Sequence, residues 1–101
     1  MEIIAEKPLI LVDPSGEQVP FVIRFGKPYQ VNGREWACPV KAPALHIGNH
    51  DIRGADSFQA LVMAQCFLRQ TMLGKVKDGI AFMNPEDGLE VEVPALFGSR
   101  P

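Results

Sequence analysis

Four residues have side chains that can bind a metal ion or serve as nucleophile and base: Cys38, His46, His50 and Cys66. The spacing of the two histidines, with three residues between them, occurs in zinc sites. No Cys-x-x-Cys pair accompanies them, and the Gly-Asn pair between them opposes the helix that would place both on one face. We therefore expect no metal ion. A metal or ligand site, or a thiol enzyme, that uses Cys38, His46 and His50 is the alternative.

The residue types of a hydrolytic triad also occur, in His50-Asp51 and Asp56-Ser57. Ser57 lacks the Gly-x-Ser-x-Gly elbow that exposes a nucleophilic serine, and Asp56 is better explained as a helix cap. The chain also lacks a Gly-x-Gly-x-x-Gly or Walker pattern for phosphates. We therefore predict no catalytic residue and no cofactor.

The segment between Gly54 and Gly74 predicts one long helix, at about 56–73. Asp56 is placed to cap the first turn, and Gln59 is placed to bond back to the cap's own backbone amide, as in a capping box. Gly74 supplies the left-handed residue that commonly ends a helix.

The chain on both sides of this helix predicts strands separated by turns. Asp13-Pro-Ser-Gly16 and Asn32-Gly33 are typical hairpin turns. A further hairpin is predicted around the turn 84–88, with Leu89, Val91 and Val93 facing inward. Segment 41–53 is irregular, and we expect a loop there with at most a short strand.

These elements predict an α+β fold, a twisted antiparallel sheet of five or six strands packed by one long helix. A chain of 101 residues fits one domain, which we place at 1–97, with a frayed tail at 98–101.

The helix carries two apolar stripes. The wider one is expected to face the sheet; its members are Ala60, Leu61, Ala64, Phe67, Leu68 and Met72. The second comprises Val62, Cys66 and Leu73, and only one charged residue lies between 57 and 73. A solvent-facing helix usually carries acid–base pairs four residues apart, so we expect the second stripe to be covered.

Three covers fit this stripe. Segment 41–53 could fold back over it as a lid, which we favour because loops of small proteins often cover apolar surface. The same surface of a second subunit in a homodimer, or a different protein, are the other two.

Composition excludes several classes of function. A net charge of −2 gives no basic footprint for nucleic acid. The apolar run at 60–68 is about half as long as a membrane span, so we expect no membrane insertion. The first residues show no secretory signal, so we expect the protein in the cytoplasm.

Two motifs, Trp36-Ala-Cys-Pro39 and Gly54-Ala-Asp-Ser-Phe-Gln-Ala-Leu61, resemble a family of small bacterial proteins of unknown function. Its members have a strand-rich N-terminal half, a Trp-x-Cys-Pro segment and a Gly-x-Asp-Ser-x-Gln-Ala-Leu helix start. The resemblance covers residues 19 to 73 and implies no activity or cofactor. Small proteins of this kind are often accessory or immunity-type binders, an analogy at the level of fold.

From these features we predict a non-enzymatic protein-binding module. Its candidate interaction surface is Val62, Cys66 and Leu73, and its partner is a second copy or another protein.

Overall fold

In a computed structural model that describes residues 1–98, the chain forms a six-stranded antiparallel sheet packed against one long helix. The strands are β1 (Ile3–Val12), β2 (Gln18–Gly26), β3 (Tyr29–Asn32), β4 (Glu35–Ala42), β5 (Ile47–Gly54) and β6 (Ala81–Met83). The helices are α1 (Ser57–Lys77), α2 (Val93–Leu96) and a 3₁₀ helix (Pro43–Leu45). The predicted α+β class and strand number are confirmed.

The sheet is built around two long hairpin pairings. β1 and β2 pair along their length through the predicted turn, where Gly16 has φ +91° and its N–H donates to the carbonyl of Asp13 at 2.9 Å. β4 pairs with β2 and β3 along one side and with β5 along the other. β6 adds to the other side of β1. β5 therefore forms one edge of the sheet.

The core lies between α1 and the neighbouring strands. Ala60, Ala64, Leu68 and Met72 have no exposed surface and pack with Cys38 and other residues of the sheet. Leu61 and Phe67 are half-buried against the same core. The predicted sheet-facing stripe is therefore confirmed, and full burial of a side chain such as Leu68 contributes about 1.5–3 kcal/mol.

The start of α1 matches the predicted cap in its main bond. The N–H of Gln59 donates to Asp56 Oδ1 at 2.7 Å. The return bond differs from the expectation, because Gln59 Oε1 accepts from the N–H of Ala55, at 2.6 Å, and not from that of Asp56. The side chain of Gln59 therefore bonds to the backbone amide one residue before the one that a standard capping box uses.

The predicted end of α1 is wrong. Gly74 lies inside the helix, which runs on to Lys77 and ends where Gly79 adopts φ +90°. The N–H of Gly79 donates to the carbonyl of Val76, and the N–H of Ile80 donates to that of Lys75, at 3.0 and 3.1 Å. This is the Schellman pattern. Gly74 is tolerated because a helical glycine costs only about 1 kcal/mol.

The prediction of a loop at 41–53 is also wrong, because this segment forms the 3₁₀ helix and strand β5. The sequence of β5 does not show the pattern of a strand, since Gly48 and Asn49 have poor β propensity. The strand is held by pairing with β4, from Trp36 opposite Gly54 to Ala42 opposite Ile47. Pairing with the adjacent strand thus overrides the local preference of these residues.

The predicted hairpin near the C-terminus is only partly formed. β6 is followed by a single bridge between Met83 and Glu90, and Leu89 is 64% exposed, contrary to its predicted inward position. Val91 is half-buried and Val93 is buried, but Val93 begins α2. Proline in the first turn, at position 94, favours a helix start over a continued strand.

The predicted frayed tail lies outside the described residues except for Gly98. Its N–H donates to the carbonyl of Ala95 at 3.0 Å.

Two glycine substitutions test where α1 ends. Gly74→Ala should raise the free energy of unfolding by about 0.5–1 kcal/mol, because the position is helical and the added Cβ would meet no atom within 4 Å beyond its chain neighbours and the helix's own backbone. Gly79→Ala should lower it by about 1–2 kcal/mol, because φ is positive and the Cβ would meet Pro14 Cγ at 3.1 Å. Denaturant titration of both variants measures the two values, and equal effects of the same sign would contradict this helix end.

Candidate interaction surface on helix α1

The side of α1 that faces away from the sheet carries five residues at alternating spacings of four and three. We call them the outer stripe: Val62, Cys66, Arg69, Leu73 and Val76. This spacing keeps side chains on one face of a helix and is the repeat by which helices pair. The stripe contains the three residues predicted as the interaction surface, together with one arginine and one further valine.

The outer stripe is open in the single chain along most of its length. Val62 is 38% and Val76 45% exposed, and Cys66 is exposed. Leu73 differs from the other two predicted residues, because it is half-buried against the core. The expected lid is wrong: segment 41–53 lies against the sheet side of α1, where the rings of His50 and Phe67 stack at 5.6 Å.

A shallow depression lies in the middle of the stripe. It is lined by Val62, Gln65, Cys66, Arg69 and Phe97. Phe97 follows α2, which packs against α1. Phe97 was missed because the sequence predicted a strand and a tail in this region, so nothing there indicated contact with α1.

Arg69 is the charged group of this depression. It is half-buried, and its Nε is shielded from solvent with no hydrogen-bond partner among residues 1–98. The ion pairs in that part of the chain are Arg24 with Glu6 and Arg53 with Glu35. An arginine at an apolar surface whose Nε lacks an acceptor within the described residues is a favourable place for a carboxylate.

The residues of the alternative metal or thiol site do not form a ligand cluster. Cys38 has no exposed surface, and its Sγ donates to the carbonyl of Gly26 at 3.4 Å. His46 and His50 are exposed, and His46 has φ +60° at the end of the 3₁₀ helix. Within residues 1–98, no three His, Cys, Asp or Glu side chains form a group that could hold a metal ion.

The chemistry of Cys38 follows from its position. Burial raises the pKa of its thiol, and the charge of Asp51 raises it further. The thiol is therefore neutral near pH 7, whereas a nucleophilic cysteine needs the thiolate.

The residue types of a hydrolytic triad are also used elsewhere. Asp56 caps α1, as described above. Asp51 Oδ2 accepts a hydrogen bond from Tyr29 Oη at 2.7 Å, which raises the pKa of Tyr29. Asp51 pairs with Pro39 and His50 with Val40, so successive side chains of β5 point to opposite faces of the sheet. Asp51 therefore does not orient the imidazole of His50.

A further groove lies on the sheet face opposite α1. Its volume is about 450 Å³, and its polar lining is Glu2, Lys27, Tyr29, Asn49 and Asp51. It contains none of the residues that the sequence singled out as an interaction or metal site. Its charges are of both signs, so it presents no concentrated field for a charged ligand.

Comparison with known proteins adds the family. A family model described as a domain of unknown function (DUF6968) matches residues 5–93. The chain belongs to the DUF6968 family. The match extends from β1 to the first residue of α2 and includes the whole of α1, so the DUF6968 domain contains the outer stripe. No curated protein and no solved structure gives a significant match.

Within residues 1–98 no helix combines the length and the apolar character that crossing a bilayer requires.

The two thiols should differ sharply in reactivity. In the folded monomer, a thiol reagent such as dithionitrobenzoate should modify one equivalent rapidly, at the exposed Cys66, and Cys38 only after unfolding. Cys66→Ser should remove the rapid phase. Equal rates at both cysteines in the folded chain would contradict the burial of Cys38 beneath α1.

Proposed function

We propose that this protein is a non-enzymatic protein-binding module that docks another protein chain on the outer stripe of α1. The observation that carries the proposal is the small number of charged residues on α1, a helix that already buries one side against the sheet. From 57 to 77 the only charged residues are Arg69, Lys75 and Lys77, with no acidic residue among them. No acid–base pair four residues apart is therefore available to solubilise the outer side.

The exposed apolar side chains support the same proposal. Beside the stripe, Phe58 is 76% and Met63 46% exposed on α1. Single exposed apolar residues are ordinary, but apolar residues that share one side of a helix form a patch, and such patches mark interaction sites. Covering them contributes about 25 cal/mol per Å² of apolar surface removed from water.

The proposal needs no cofactor and no catalytic residue, and it places the module in the cytoplasm. Cys38 and Cys66 are unpaired thiols, as expected in a reducing compartment. The occupant of the stripe is a second copy or a different protein, and the two are distinguished by mass.

Val62→Asp tests the proposal, with Val31→Asp as the matched control. The two valines are 38% and 39% exposed, but Val31 lies on β3, away from α1. An unpaired carboxylate buried in an interface costs about 1–3 kcal/mol or more. Val62→Asp should therefore weaken association about tenfold or more, whereas Val31→Asp should leave it unchanged.

The measurement combines light scattering of the purified protein with quantitative affinity purification from the native cells. A mass twice 11.1 kDa indicates a homodimer, and a protein retained by the wild type and by Val31→Asp but lost with Val62→Asp indicates another partner. The proposal fails if the wild type is a strict monomer and all three forms retain the same proteins. Thermal melting of each variant confirms that it is folded.

A further inference from the structure

We propose that the occupant of the outer stripe is an acidic amphipathic segment of a different protein, with one carboxylate placed against Arg69. This inference rests on the proposed function and specifies the chemistry of the partner. The apolar residues of the outer stripe favour an apolar surface on the partner, and Arg69 at the centre of the stripe favours an acidic residue there.

The position of Arg69 is the first argument. Its side chain lines the depression with Val62, Cys66 and Phe97, and its Nε finds no acceptor among residues 1–98. A partner that covered this depression with apolar groups alone would remove the guanidinium from water without giving it an acceptor, which is unfavourable. A partner carboxylate would accept one or two hydrogen bonds from it in the planar geometry that guanidinium favours.

The charge of α1 is the second argument, and it selects against a second copy. All three charged residues of α1 are basic, and the helix has no acid to offer Arg69 of another copy. Two such helices packed about a two-fold axis at Arg69, the middle of the outer stripe, would bring the two guanidinium groups together in a partly desolvated contact. A segment that carries acids beside its apolar residues removes this repulsion.

The C-terminal end of α1 indicates how the partner segment is oriented along the outer stripe. A second depression, lined by Leu73, Val76 and residues of the following strand and α2, also contains Glu90 and Glu92. These carboxylates would repel an acid placed there. The acidic residue of the partner is therefore expected opposite Arg69, while the part that reaches Leu73 and Val76 is apolar or basic.

The test begins by capturing the partner at a defined position. A photo-crosslinking amino acid, benzoylphenylalanine, replaces Gln65, which is exposed and lines the depression with Arg69. The same amino acid at Ser15, in the turn between β1 and β2, is the control position. The protein is expressed in the cells that naturally make it and irradiated, and the crosslinked peptides are sequenced.

The inference expects a crosslink from position 65, and not from position 15, to a segment with apolar residues at helical spacing and a net negative charge. A crosslink to a second copy of this chain, or to a neutral or basic segment, would overturn the inference but leave the proposed function in place. No position-specific crosslink from residue 65 would count against both.

Substitution at Arg69 then tests its role with the captured segment as a synthetic peptide. Arg69→Gln should weaken binding about tenfold and Arg69→Glu more, while Arg69→Lys should restore part of the affinity. Arg34→Gln makes the same chemical change at an exposed arginine on the β3–β4 turn and should have no effect. Equal affinities of the wild type and Arg69→Glu would overturn the inference.

Sedimentation with phosphatidylserine vesicles separates this partner from an anionic membrane. Basic residues beside apolar ones on a helix also suit an anionic lipid surface. The inference expects no sedimentation with the vesicles, and vesicle binding that Arg69→Gln abolishes would overturn it.

Discussion

The structure depends on the close packing of α1 against β4 and β5. Ala60 and Ala64 have no exposed surface and no side chain beyond Cβ, so the helix backbone lies near the strands. Gly54, the last residue of β5, completes this approach, because a Cβ there would lie 2.7 Å from the Cα of Ala60. Interiors packed this closely do not yield to added atoms. The contact fixes which side of α1 is buried and therefore which side faces away from the sheet.

The side of α1 that faces away from the sheet explains why we expect the protein to bind another protein chain. A helix exposed to water on its outer side is normally kept soluble by charges of both signs, and α1 carries none of the negative ones. Apolar contact along the stripe would supply most of the affinity. Arg69 would supply the preference for an acidic partner, in the way that charged groups in interfaces discriminate among partners more than they strengthen binding.

The sequence predicts the features that are set within one segment of the chain better than those that are set by contacts between segments. The cap at Asp56 and the buried stripe of α1 depend on residues within a few positions of one another, so the sequence predicts them. It also predicts a lid over Val62 and Cys66, but both are exposed in the single chain. Strand β5 depends on its pairing with the adjacent strand β4, and the position of Phe97 depends on the packing of α2 against α1. No pattern within either segment indicated these contacts. The end of α1 lies between these cases. Gly74 and Gly79 are equally plausible stops by residue type, and the bonds that close the helix at Gly79 decide between them.

The most direct test of a covered outer stripe is the rate at which Cys66 is alkylated inside cells. N-ethylmaleimide enters living cells, and mass spectrometry can follow the modification of Cys66 there and in the purified chain diluted to its monomer. A partner bound to the outer stripe should slow the alkylation of Cys66 in cells about tenfold or more relative to the monomer. Each rate is divided by the alkylation rate of an unstructured thiol peptide under the same conditions, which corrects for different reagent concentrations. Equal rates would show that the outer stripe remains open to water in the cell, and the account of this surface would be wrong.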